Sequence, residues 1–292
     1  MEYDVSKDIK IYIESNGLSV KEFANEVGIS LSIVSKILNN KLEPNNELLE
    51  RIYSYFYSNN FNLNKYKFIA LSSKSDRLTL VHGSKSKIEG PISNSKSRLH
   101  VDFGQGFYAG DNYEQSLDFV PQTKEGSIYV LDVNLDGLKI KKLDVNEEWM
   151  FLIAFNRGKL ERYSKSKKYR ELEKTMNSYD VFIAPIANNR MFNTIDDFIN
   201  SAISSSQAVH ALKALNLGYQ YVFKSDKAIS QITIMNRLYV SKVEKMEAEK
   251  IKIRRIEEAE SFVRDAYSQH IREGQYIDEV FKWETLIIIA KY

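Results

Sequence analysis

Apolar residues recur at helical spacing through the first 60 or so positions and give way to short continuous runs after residue 76. Ile9, Tyr12 and Ile13 mark one amphipathic helix that Asn16-Gly17 stops, and Ser19 caps a second with Phe23, Ala24 and Val27 on one face. Gly28 makes a tight turn. The segment 29–40 starts with a capping Ser30, presents Val34, Ile37 and Leu38 to a core, and ends at Asn39-Asn40. A fourth helix follows Pro44, with Leu48, Leu49, Ile52 and Phe56 on its apolar side. Residues 1–66 are therefore expected to form a compact all-α domain, and the asparagine-rich, serine-ended stretch 59–73 reads as a linker.

Beyond Asp76, apolar runs at 78–81, 127–135, 180–186 and 219–223 alternate with helical segments, which predicts a mixed α/β domain over 74–238. No glycine or proline interrupts Met235 to Glu273. With Leu238, Val243, Met246, Ile253, Ile256, Phe262, Val263 and Tyr267 as an apolar stripe, that stretch reads as one long helix in an extension over 239–292. The stripe either lies across its own domain or offers a surface for self-association or a neutralising partner. The ending Phe281 to Ile289 reads as a short helix or strand tucked into a core.

Composition narrows the chemistry. A chain of 292 residues with 43% hydrophobic content has room for two packed domains. The 41 basic and 39 acidic side chains nearly cancel, so no strong positive field announces a nucleic-acid partner. Cysteine is absent, which removes disulfides, thiolate nucleophiles and cysteine-based zinc sites. Of the four histidines, His82, His100, His210 and His270, no two stand at ligand spacing on one element, and no metal is expected. No apolar run approaches the roughly 20 residues that cross a bilayer, and Met1-Glu2-Tyr3-Asp4 is too acidic for a signal peptide, so the expected location is the cytoplasm.

Two short motifs carry the candidate chemistry. His82-Gly83-Ser84 closes the run from Leu78, and Phe103-Gly104-Gln105-Gly106-Phe107-Tyr108 follows about one supersecondary unit later. A histidine at a strand end can hydrogen-bond ribose hydroxyls, and a glycine beside it lets backbone groups reach a flat carboxamide. Tyr108 and Phe119 can offer aromatic faces to a pyridinium ring. Taken singly, the tripeptide is a common accident and the glycine-aromatic run a bulged strand turn. Their order makes them specific.

The segment Leu18 to Ser35, Leu-Ser-x-Lys-Glu-Phe-Ala-x-x-Val-Gly-Ile-Ser-x-Ser-x-Val-Ser, resembles the helix-turn-helix domain of phage repressors. The resemblance implies that the helix from Ser30 enters a major groove, with Leu31, Ser32, Ser35 and Lys36 facing the bases of an operator. Residues 1–66 hold seven Lys/Arg against nine Asp/Glu, so the alternative of a module for dimerisation or partner binding stays open.

The two motifs, together with Tyr219-Gln220-Tyr221-Val222-Phe223, resemble the three signature strands of ADP-ribosyltransferases of the His-Tyr-Glu type, the group that includes the poly-ADP-ribose polymerases. Closer still, the chain resembles a family of uncharacterised bacterial proteins of that predicted fold, in which Trp149, Asn156-Arg157 and the run 181–187 recur. The likeness covers about Leu78 to Leu238. It implies an α+β chain: an all-α helix-turn-helix domain, a split mixed-sheet ADP-ribosyltransferase-like domain and a C-terminal helical tail. It also implies NAD as substrate, with His82 on the ribose, Gly83 and Ser116 on the carboxamide, Tyr108 and Phe119 on the ring, and Gln220 at the reacting centre. A toxin of a toxin-antitoxin or phage-defence pair, with an unknown macromolecular acceptor and an antitoxin partner, fits that arrangement.

The departure is Gln220, where active members carry a glutamate. Losing a unit charge near 4 Å at an effective dielectric near 20 forfeits about 4 kcal/mol, roughly three decades in rate. Two readings stay open: a slow or selective transferase in which Asp226 or Asp111 supplies charge, and an inactive nucleotide-sensing regulator. Asn188-Asn189-Arg190 stands where acidic residues are expected, which leaves that loop without a role.

Overall fold

The structure is a computed structural model; it describes residues 2–94, 97, 99–120, 126–187, 189–214 and 218–282. The expected ending from Trp283 to Ile289, and Asn188, lie outside the described residues. The chain divides into two compact units that alternate along the sequence. The first comprises Met1–Pro91, Ala109–Asn134 and Gln231–Ile253, and the second Ile92–Tyr108, Leu135–Ser230 and Arg254–Tyr292.

The first unit opens with five helices: α1 (Val5–Asn16), α2 (Val20–Val27), α3 (Leu31–Leu38), α4 (Asn46–Ser58) and α5 (Leu63–Ser72). The expected caps are in place. Ser19 and Glu22 form a reciprocal capping box at the start of α2, and the Ser30 hydroxyl accepts from the Ile33 amide at the start of α3. Ile9, Tyr12, Phe23, Val34, Ile52 and Phe56 fill the bundle core, with Tyr12 stacked on Phe56 at 4.5 Å between ring centroids.

The stretch read as a linker is helix α5. Asn62 caps it by accepting from the Lys65 amide, and its inner face is polar, so hydrophobic periodicity does not reveal it. Lys67 is buried and pairs with Asp8 of α1 at 2.6 Å, while the Tyr53 hydroxyl donates to the other Asp8 oxygen at 2.5 Å. Burial pushes the Asp8 carboxyl up against the opposing pull of Lys67.

Four strands complete this unit: β1 (Leu78–Ser84), the end of β2 (Phe107–Gly110), β3 (Ser127–Val133) and β7 (Ile232–Tyr239). They run antiparallel in the order β2, β1, β3, β7, with His82 opposite Tyr129 and Gly83 opposite Ile128. Strand β7 corrects the expected helix from Met235. Lack of glycine or proline permits a strand as readily, and the β-branched run Ile232-Thr233-Ile234 pairs along β3. The helix proper, α12 (Lys242–Gln269), begins after Ser241, whose hydroxyl accepts from the Glu244 amide. Its expected stripe is only partly used, since Val263 is buried but Val243, Met246, Ile253 and Phe262 are exposed.

Glu244, at the start of α12, is fully enclosed and held by the Tyr113 hydroxyl at 2.6 Å and the Asn64 amide at 3.0 Å. Burial pushes its carboxyl from 4.5 up to about 7 despite those two hydrogen bonds. A carboxyl whose folded pKa is raised favours folding fully below its unfolded value, and that contribution is lost as pH rises to the folded value. Stability is therefore expected to fall between pH 4.5 and about 7, by up to about 1.4 kcal/mol per pH unit from this group. Urea unfolding of Glu244→Gln across that range should show the slope reduced by that amount; an unchanged slope rules out the buried carboxyl as its source.

The second unit is built on helix α7 (Glu147–Asn156), whose residues Trp149 to Ala154 are all fully buried. A helix apolar on every side has to be wrapped. Strands β5 (Val181–Pro185) and β6 (Tyr219–Phe223) supply Phe182, Ala184 and Val222 to the same core, and α9 (Asn189–Ile199) and α10 (Ser205–Lys213) supply Met191, Phe198, Ala208 and Leu212. Strand β4 (Ile140–Lys142) runs parallel to β5, and β6 runs antiparallel to it. The Trp149 indole donates to the Pro185 carbonyl at 3.1 Å and fixes α7 against β5. The remaining helices are α6 (Tyr113–Leu117) in the first unit, and α8 (Lys167–Met176), α11 (Asp226–Ile229) and α13 (Ile277–Val280) in the second. Among the described residues, no helix is long and apolar enough to cross a membrane.

Candidate functional site

Helix α3 carries the residues expected at a DNA groove. Val34 and Ile37 face the core, which leaves Ser30, Leu31, Ser32 and Lys36 exposed and Ser35 half-buried on the opposite side. Leu31 is 45% exposed, a large apolar side chain with no fold-related reason to face water. Arg51 of α4 donates to the Gly28 carbonyl at 2.9 Å, bracing the turn between α2 and α3. The geometry is a recognition helix presented on a rigid bundle.

His82, Gly83, Ser116 and Phe119 all lie in the first unit. Gly83 presses so closely on the end of α6 that a Cβ there would sit 2.7 Å from the Ser116 carbonyl oxygen and 3.3 Å from the Phe119 Cβ. Only glycine fits. Gly83 is thereby brought against two residues more than thirty positions further along the chain. The buried Ser116 hydroxyl donates to the Asn112 carbonyl at 3.1 Å, so its lone pairs rather than its proton are left for a ligand. Phe119 is 53% exposed, an aromatic ring open to whatever lies over Gly83.

Tyr108 and Gln220 lie in the second unit. The Tyr108 hydroxyl donates to the Gly104 carbonyl at 2.7 Å and accepts from the Phe103 amide at 3.1 Å, pinning the glycine-aromatic turn onto its own ring. Burial raises its phenol far above the usual range, so it stays protonated. Gln220 on β6 is buried, and its amide donates to the Asp102 carboxylate at 3.1 Å and to the Pro185 carbonyl at 3.2 Å.

Asp102 is the residue that sequence reasoning missed. Its second oxygen pairs with Arg157 at 3.0 Å, and the Arg157 guanidinium lies 3.2 Å over the Phe192 ring. Its place directly before Phe103-Gly104 is a signal the motif could have supplied. Lys224, just past β6, donates to the Phe103 carbonyl at 2.5 Å, and burial lowers its ammonium to about 8. Of the carboxylates named from sequence as charge donors, Asp226 heads α11 and Asp111 follows β2, its carboxyl raised by burial. The carboxylate in contact with Gln220 is Asp102.

Comparison with known proteins gives two matches. Residues 9–56 match the family described as helix-turn-helix, and residues 78–234 match the one described as protein of unknown function (DUF3990). No curated protein and no solved structure matches the chain.

Proposed function

The chain belongs to the DUF3990 family, and we propose that it is an NAD-dependent mono-ADP-ribosyltransferase directed or autoregulated by a DNA-binding head. The observation that supports this reading is the Gly83 contact, where the Gly83 backbone, the Ser116 backbone and the exposed Phe119 come together at a site able to take a flat carboxamide and its ring. His82 is assigned the ribose, Gly83 and Ser116 the carboxamide, and Phe119 the ring. In the reaction the bond between nicotinamide and the anomeric carbon breaks with its electron pair leaving on nicotinamide. The acceptor nucleophile bonds that carbon and releases its proton to solvent.

Gln220 carries no charge, and with its amide protons given to Asp102 and Pro185 it has its carbonyl oxygen left to accept from a ribose hydroxyl. The Asp102 carboxylate behind it supplies the negative field that favours an oxocarbenium-like transition state. Incubation of the pure protein with NAD and cell lysate, read by mass spectrometry, should yield free nicotinamide and ADP-ribosyl adducts. His82→Ala and Gln220→Ala should each reduce that yield at least about a hundredfold. Intact NAD binding with no turnover in the wild type would favour the nucleotide-sensing regulator.

For the head, promoter DNA affinity is expected to fall with added salt by a log–log slope of about −0.9 per phosphate neutralised. Lys36→Ala should reduce the slope by about one. Salt-independent binding would remove phosphate engagement by α3. The acceptor is a cellular macromolecule, and a toxin neutralised by an antitoxin is the biological setting this reading favours.

A further inference from the structure

We propose that His210, His270 and Glu273 form a binding site for a divalent transition metal of the zinc class. The sequence places these residues on separate elements, His210 in α10 and His270 and Glu273 in the turn after α12, so spacing along the chain conceals them. Folding brings one ligand atom from each within 4.8 Å of the other two. Among the described residues this is the group of three such side chains so placed.

The site is built from its surroundings. The His210 Nδ1 lies 2.9 Å from the Ser206 carbonyl, which holds the proton on that nitrogen and turns the Nε2 lone pair outward. The Ser206 hydroxyl donates to Glu273 at 3.2 Å, and the His270 Nδ1 lies 2.8 Å from the same carboxylate. The turn itself is clamped to α10. Ser204 donates to the Glu273 carbonyl, the Ser205 amide donates to the Gln275 carbonyl at 2.8 Å, and Gly274 has φ +79° with a would-be Cβ only 2.6 Å from the Ser206 nitrogen. No other residue fits that position, which fixes the backbone from which the Glu273 side chain projects.

The two imidazoles lie face to face, 3.6 Å between centroids and 13° between planes. In that arrangement their lone pairs run in parallel planes, and capture of an ion swings the His270 ring out of the stack until both lone pairs converge. Two imidazole nitrogens and a carboxylate oxygen suit Zn²⁺, Co²⁺, Ni²⁺ or Cu²⁺ over Mg²⁺ or Ca²⁺, which prefer all-oxygen sites. The fourth position faces solvent, since Glu273 is exposed and both rings are only half-buried. The bound ion staples the turn after α12 to α10.

The test is titration of the untagged, metal-free full chain with Co²⁺, followed by visible absorption and competition with Zn²⁺. One equivalent should give the intense bands of a four-coordinate ion, and Zn²⁺ should bleach them. A hundredfold excess over the dissociation constant should raise the unfolding temperature by about 5 °C. His210→Ala and His270→Ala should weaken binding about a hundredfold, and Ser206→Ala, which keeps both rings and the backbone carbonyl, about tenfold. Absence of a stoichiometric band in a chain with native circular dichroism overturns the proposal, as does equal binding by the His→Ala variants.

Discussion

Asparagine in place of Asp102 is expected to cut NAD turnover about thirtyfold while leaving NAD affinity within a factor of a few. The carboxylate meets Gln220 at 3.1 Å and Arg157 at 3.0 Å, and asparagine keeps the size of the group and one of its two acceptor oxygens while discarding its charge. Asp102 stands one side chain behind Gln220, and a unit charge acting over about 8 Å at an effective dielectric near 20 is worth about 2 kcal/mol to a developing cation, which corresponds to about thirtyfold in rate. Ground-state NAD is bound chiefly by groups that do not change, so the loss falls on kcat rather than KM. Arg157 retains its seat on Phe192 and is partly solvated, which preserves the fold in the variant. Nicotinamide release and equilibrium NAD binding measured side by side check both halves, and wild-type turnover by Asp102→Asn would remove Asp102 from the chemistry.

Methionine at Lys67 is expected to destabilise the first unit by about 3–5 kcal/mol. The change strands a carboxylate that has almost no solvent contact and keeps one neutral donor, the Tyr53 hydroxyl. Asp8 is already raised by burial, so loss of its cation favours protonation, and acid conditions should return part of the lost stability. The double variant Asp8→Leu/Lys67→Met should recover part of the deficit, because both charges are gone while the buried Tyr53 hydroxyl loses its acceptor. Urea unfolding of the two variants decides the matter; a cost under about 1 kcal/mol for Lys67→Met would mean that the pair is solvated in solution.

The readable parts of the sequence were those where one residue type has one physical use. Ser19 with Glu22, and Ser30 before Val34, are caps whose chemistry works in the helix they begin, and both helices stand where those residues predict. The four apolar runs became β1, β3, β5 and β6 because a buried strand needs little else. Helix α5 was hidden by inward-facing Asn64 and Lys67, whose polarity imitates a loop and whose partners Asp8, Tyr239 and Glu244 lie far away in sequence. Strand β7 was hidden by a helix-compatible composition that pairing with β3 overrides. Gly83 could be named from its motif, and Ser116 and Phe119 from the resemblance to the polymerases. Asp102 and Arg157 needed the fold to reveal which carboxylate meets Gln220 and which cation pairs with that carboxylate.

Helix α7 has a consequence for how the chain is made. Its six consecutive apolar side chains leave the ribosome before Phe182, Phe198, Leu212 and Phe281, the residues that enclose them, have been synthesised. Throughout that interval the nascent polypeptide displays its stickiest segment with nothing to cover it. Yield on overexpression should therefore depend on chaperone supply and improve with slower translation at low temperature.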